Sequence, residues 1–97
     1  MKQEFIAALA EHIGAEQIFL QCDERQQYRY DHWSVKHCRD WLGEAIATPG
    51  CIVKPRHSGD VQTIVGICAE HGVAIVPYGL GSGVCGGIEP NNDQLLL

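Results

Sequence analysis

Ninety-seven residues leave room for one small domain rather than two, since domains commonly need on the order of 100–150 residues each. Apolar residues make up 45% and charged ones 20%, an ordinary soluble-globular balance that argues against long disorder. Seven Lys+Arg against twelve Asp+Glu give a net charge of -5, which argues against a phosphate-tracking nucleic-acid surface.

The N-terminus, Met1-Lys2-Gln3-Glu4, surrounds a short apolar run with acids at Glu4 and Glu11 and does not suit a secretory signal peptide. Phe5, Ile6, Leu9 and Ile13 then fall on one face of an amphipathic helix, supported by Ala7, Ala8 and Ala10 and stopped at Gly14. A second short turn or helix is expected over Ala15 to Phe19. From Gln21 to Gly50 the periodicity is poor. Tyr28, Tyr30, Trp33 and Trp41 sit there among charges, and the stretch ends in the Pro49-Gly50 turn signal. We read it as an irregular connection with a helical turn, packed down by its aromatic rings.

After Pro49-Gly50 the pattern sharpens. Cys51-Ile52-Val53 is a short apolar, β-branched run closed by Pro55 and reads as a strand. Ser58 is the predicted N-cap of a helix, with Asp60 in the first turn where the dipole favours an acid. Val61, Ile64, Val65 and Cys68 share one face, and Gly72 supplies the stop. Val73 to Val76 is a second strand ended by Pro77. Strand, helix, strand is a βαβ unit whose right-handed crossover implies parallel strands. The predicted fold class is therefore α+β, an N-terminal helix followed by a βαβ unit of a small parallel sheet. Residues 1–50 form an N-terminal helical and aromatic-rich part, and residues 51–97 carry the βαβ unit.

The next segment holds the functional signal. Pro77-Tyr78-Gly79-Leu80-Gly81-Ser82-Gly83-Val84-Cys85-Gly86-Gly87 contains five glycines in eleven residues. Glycine admits positive φ and lets a ligand approach the main chain. Successive inward-turned amides make a nest for anions, phosphate above all. A loop at the carboxyl edge of a parallel strand is also where α/β sheets usually bind ligands. Gly81 to Gly86 matches GxGxxG, but Ile88-Glu89-Pro90-Asn91-Asn92-Asp93 is turn-rich with no helical period, which disfavours a Rossmann site. A P-loop fails because no Lys-Ser or Lys-Thr pair follows the glycines.

Taken in order, Ile52-Val53-Lys54-Pro55, the helix, Val73 to Pro77 and the loop from Tyr78 to Gly87 resemble the start of the flavin-binding domain of FAD-linked oxidases. These are the enzymes of the vanillyl-alcohol oxidase and p-cresol methylhydroxylase type. The loop is most similar to those of glycolate oxidase and D-lactate dehydrogenase flavin subunits and of alkyldihydroxyacetonephosphate synthase. The resemblance spans about residues 28 to 97, is strongest over 52 to 87, and includes Tyr30-Asp31 upstream. It implies that the main chain of Tyr78, Gly79, Leu80, Gly81, Ser82, Gly83 and Val84 wraps the FAD pyrophosphate, with the Ser82 hydroxyl directed to it. Leu80 departs from the family's usual glycine or alanine. With no histidine from Tyr78 to Gly87, covalent flavin attachment at this loop is not expected, so the FAD is expected to be non-covalent. The implied chemistry is hydride transfer from a hydroxyl-bearing carbon, such as that of a 2-hydroxy acid, to flavin N5.

Other residues carry blander readings. Cys85 is expected to be a small buried thiol rather than a nucleophile. His32, His37 with Cys38, and His57 fit no standard metal spacing, so no metal site is predicted. Asp31 reads equally as a structural cap and as a cofactor contact. Cys22, Cys38, Cys51, Cys68 and Cys85 are an odd set with no CxxC pair, which reads as reduced intracellular thiols and a cytoplasmic location. The stretch from Gly72 to Ile88 is uncharged but broken by Pro77 and glycines, so no transmembrane segment is expected.

Gln94-Leu95-Leu96-Leu97 looks like a strand cut off as it begins. The resembled family has a longer flavin domain and a separate substrate domain. The chain is accordingly expected to be an inactive N-terminal piece truncated at its C-terminus, its partners being FAD, the missing C-terminal lobe and the substrate domain. An unpaired terminal strand with an exposed edge is the structural expectation. The alternative class is a non-catalytic remnant or interaction module that binds no flavin.

Overall fold

The computed structural model describes residues 1–79 and 81–97. Helix α1 (Gln3–Ile13) buries Phe5, Leu9 and Ile13, the i, i+4, i+8 stripe of the sequence, and ends at Gly14, whose N–H donates to the Ala10 carbonyl at 3.0 Å. A 3-10 turn (Ala15–Gln17) leads into strand β1 (Ile18–Phe19), so the short element after Gly14 is part turn and part strand. Two helices follow, α2 (Cys22–Gln27) and α3 (Ser34–Trp41), where a mostly irregular connection was expected. Neither buries a side chain fully, so no apolar stripe betrays them in the sequence.

Strand β2 (Cys51–Val53), helix α4 (Ser58–His71) and strand β3 (Ile75–Val76) form the predicted βαβ unit. Three details differ from expectation. The N-cap of α4 is His57 rather than Ser58, and Asp60 Oδ2 reaches back to accept from the Arg56 N–H at 3.0 Å. That carboxylate ties the chain ahead of the helix to its first turn, while no side chain caps the helix's own first amides. The buried face is Ile64, Ile67 and Cys68, while Val65 is 47% exposed because it lies about 100° around the helix from Ile64. Residues 73 and 74 precede the strand rather than opening it.

The sheet order is β1-β2-β4-β3, with β4 (Leu95–Leu96) parallel to both neighbours and β1 antiparallel to β2. The two predicted strands are therefore parallel but not adjacent. The expected unpaired terminal strand is overturned: Leu95 faces Cys51 on one side and Ile75 on the other, and Leu96 faces Ile52 and Val76. Entering between β2 and β3 satisfies both flanks of β4 and both of its neighbours' inner edges.

One face of the sheet carries the core. Phe5, Leu9 and Ile13 of α1 and Ile64, Ile67 and Cys68 of α4 pack with Cys51, Val53 and Leu95. Residues 1–50 thus share this core with residues 51–97. Strand alternation turns Ile52 and Leu96 to the other face, where both are buried outside that cluster. Among the described residues no helix is long and apolar enough to cross a membrane.

Candidate functional site

The glycine loop is the link between β3 and β4. It leaves the carboxyl edge of the sheet, where the Tyr78 N–H donates to the Leu97 carbonyl at 2.8 Å. The Tyr78 ring packs edge-on against Tyr28 at 5.1 Å between centroids, and burial raises its phenol pKa, with Tyr28 and Asp31 adding smaller pushes. Its hydroxyl fills the space beside Gly81 where a Cβ would stand. Gly81 also has φ +67, so this turn requires glycine on two counts.

Residues 29–40 brace the loop from outside. The His32 N–H donates to the Gly83 carbonyl at 2.8 Å, and the Trp33 indole lies against Gly86. Lys36 Nζ pairs with Glu89 at 3.1 Å, its side chain only 12% exposed. Asp31 is buried, accepts from the Trp33 N–H through Oδ1 at 2.8 Å, and presents Oδ2 towards Gly83. The carbonyl of Asp31 in turn accepts from His37 Nε2 at 2.8 Å. Asp40 Oδ2 holds the brace's own base, accepting from Arg29 at 2.5 Å and the Tyr30 hydroxyl at 2.8 Å.

The loop lines a cleft of about 380 Å³ whose wall is Gly79, residues 81–85, Gly87 and Asp31. No backbone N–H from Gly81 to Glu89 donates to another acceptor among the described residues. In this exposed or half-buried loop such amides are reached by solvent and are open to an anion. A second cleft of about 250 Å³ opens at the carboxyl ends of β2 and β4, between Tyr28, Tyr78, Lys54 and Leu96, and shares Gly79 with the first as a lining residue.

Of the residues singled out in the sequence, Tyr78, Gly79, Gly81, Ser82, Gly83 and Val84 gather at these two clefts, with Ser82 and Val84 exposed. Leu80 lies outside the described residues. Cys85, expected to be buried, is exposed at the cleft, because the loop turns its side chains outward rather than packing them into a core. Asp31 is both a turn residue and a cleft wall. Trp33, read as a packing ring, does pack, against Gly86, a partner the sequence did not name, while Lys36 and Lys54 were missed. Trp33 and Lys36 act across about fifty residues of chain, and a lone lysine after a strand carries no sequence signal. Trp41, read as a packing anchor, is 87% exposed. Among the described residues no cluster of His, Cys, Asp or Glu is arranged to hold a metal ion.

Comparison with known proteins bears on this arrangement. The protein family described as FAD binding domain matches residues 49–97, half of the chain. The glycolate oxidase subunit GlcD of Bacillus subtilis (strain 168) is 41% identical over 49 residues, covering 50% of this chain and 10% of that protein. Alkyldihydroxyacetonephosphate synthase of Trypanosoma brucei brucei is 31% identical over 97 residues, 94% of this chain and 15% of that protein. A solved alkyldihydroxyacetonephosphate synthase superposes with a TM-score of 0.87 at 25% identity over 99% of this chain and 18% of its own. A p-cresol methylhydroxylase structure shares the fold, with a TM-score of 0.72 at 19% identity over 97% of this chain and 17% of its own. The chain thus spans less than a fifth of each of these proteins.

Proposed function

Because the chain belongs to the FAD binding domain family, we propose that it seats the FAD pyrophosphate on the main-chain amides of Gly79 and residues 81–84, the Tyr78 N–H being held instead by the Leu97 carbonyl at 2.8 Å. In this reading it is part of a flavin-dependent oxidoreductase acting on a 2-hydroxy acid or a related alcohol. The supporting observation is the run of amides from Gly81 to Glu89 that have no partner among the described residues, beside a cleft lined by Gly79, Gly81, Gly83 and Gly87. Those nitrogens offer fixed partial positive charge without a side chain to reorganise.

Bound FAD supplies the hydride-accepting ring. This chain's residues bind and orient. Tyr78 fixes the turn at Gly81, the brace from Asp31 to Lys36 fixes the far limb, and the Ser82 hydroxyl, which has no partner among the described residues, donates to a phosphate oxygen. In this reading the FAD is held non-covalently, a view that the lack of histidine between Tyr78 and Gly87 supports. Residues over the flavin ring come from outside this chain, in keeping with the 10% and 15% of its relatives that it spans. Its glycolate-oxidase-like half supports the hydroxy-acid reading. Its three exposed free cysteines suit a reducing, cytoplasmic setting.

The test is a titration of the ¹⁵N-labelled chain with FAD, ADP and riboflavin, followed at the glycine amides. FAD and ADP, which carry the diphosphate, should shift Gly79, Gly81 and Gly83, weakly in affinity but saturably. Riboflavin, which lacks it, should not. Unmoved glycines at millimolar FAD would favour an interaction module instead.

A further inference from the structure

We infer that Lys54 is the counter-charge for a diphosphate seated on the glycine loop, an inference that rests on the pyrophosphate reading above. A diphosphate adds about two negative charges to a chain of net charge -5, beside the buried Asp31 carboxylate that already faces Gly83. The amides supply only partial charges. The loop contributes no lysine or arginine, and Lys54 is the one basic side chain, among the described residues, on the walls of either cleft. Arg29, Lys36, Arg39 and Arg56 are each committed to a carboxylate, whereas Lys54 appears in no ion pair among the described residues.

Its placement suits the task. The Lys54 N–H donates to the Gln17 carbonyl at 3.0 Å, which fixes the backbone at the carboxyl end of β2. Its Nζ lies over the Phe19 ring at 4.6 Å and the Tyr28 ring at 5.3 Å. Ring faces orient an ammonium while leaving its full charge for an anion. Tyr28 then contacts Tyr78, Tyr78 abuts Gly81, and Gly79 lines both the Lys54 cleft and the loop cleft. The ligand class this selects is a nucleoside diphosphate or dinucleotide over an uncharged nucleoside.

The experiment compares wild type, Lys54→Gln and Lys54→Arg by glycine-amide titration with ADP and adenosine at two salt concentrations. ADP affinity should fall about tenfold in Lys54→Gln, hold within about threefold in Lys54→Arg, and lose salt sensitivity in the neutral variant. Adenosine should not separate the three proteins. In wild type the Lys54 ¹³Cε resonance should itself move with ADP and not with adenosine, which carries the test should the neutral variant fail to fold. Glycine shifts of equal affinity in wild type and Lys54→Gln, or a Lys54 resonance indifferent to ADP, overturn the inference and leave the loop reading standing. Glycine amides that ignore ADP in wild type overturn both.

Discussion

Trp33 and Gly86, 53 positions apart in the sequence, are in contact: a Cβ on Gly86 would stand 2.7 Å from Trp33 Cε3. Gly86 also has φ +75, so two independent constraints keep it a glycine. Gly86→Ala should therefore cost about 1–3 kcal/mol, the range for backbone strain of this kind, with the clash in addition. The two contributions separate in a double-mutant cycle with Trp33→Ala, where only the φ penalty persists. Urea unfolding measures it. An equal cost in both backgrounds would mean that the indole does not limit this position.

At Gly81 the neighbour is the Tyr78 hydroxyl, and φ is +67. Gly81→Ala should weaken ADP or FAD binding by about tenfold or more, since about 1.4 kcal/mol of misplacement suffices for that. The change lies in the loop rather than in the core, so urea stability should fall less than in a core substitution. Glycine-amide titration gives the affinity. A variant that binds as wild type does would dissociate the turn at Gly81 from ligand recognition.

Strands β2 and β3, α1, α4 and the position of the glycine loop were legible because apolar residues recur at helical or strand spacing and glycines punctuate them. The helices α2 and α3 were not. Their side chains stay at the surface, and α3 is tied by the polar pairs Arg29–Asp40 and Lys36–Glu89, which periodicity cannot register. The place of β4 was hidden for a different reason. A two-residue strand at Leu95–Leu96 carries no information about which strands it joins, and only the gap between β2 and β3 decides that. The loop's type and place were visible, but its brace was not, since His32 to Gly83 and Trp33 to Gly86 are tertiary contacts with no local signature.

The five thiols divide by environment. Cys51 is buried, which pushes its pKa up to about 12, with Cys68 adding a smaller push, and burial raises Cys68 as well. At pH 8 the Cys51 thiolate fraction is then about one in ten thousand. Ellman's reagent should modify Cys22, Cys38 and Cys85 promptly in the native protein, and Cys51 and Cys68 only on unfolding. The folded state retains these protons, so stability from them is present below about pH 9 and is lost as pH rises towards 12. Prompt native labelling of Cys51 would contradict the buried placement.

Asp40 anchors the brace. The Tyr30 hydroxyl, then the Arg29 guanidinium, hold its carboxyl below the ordinary value, and the same hydrogen bond raises Tyr30. A depressed carboxyl contributes stability above its unfolded pKa of about 4 and loses it as pH falls through the lower folded value. Acidification below about pH 4 should therefore release the segment from Arg29 to Trp41, seen as a change in Trp33 fluorescence. Asp40→Asn should show the released signal already at neutral pH and lose this acid transition. An unchanged transition in the variant would assign it to another carboxylate.

Leu95 tests how far the sheet and the loop depend on one another. It is fully buried in the central strand, pairs with Cys51 and Ile75, and lies in the cluster that α1 and α4 cover. Leu95→Ala should cost about 2–5 kcal/mol. That is a large share of the roughly 5–15 kcal/mol that stabilises a typical domain, and a chain of this size sits at the low end. Leu20→Ala, at a side chain 46% exposed, should stay within about 0.5 kcal/mol. The loop leaves from β3 and returns to β4, and Tyr78 is tied to Leu97 at 2.8 Å. Weakening β4 therefore loosens both ends of the anion cradle together, and ADP affinity should fall alongside the melting temperature in Leu95→Ala. Retained affinity in a variant whose melting temperature has dropped would show that the brace from Asp31 to Lys36 holds the loop without help from the sheet.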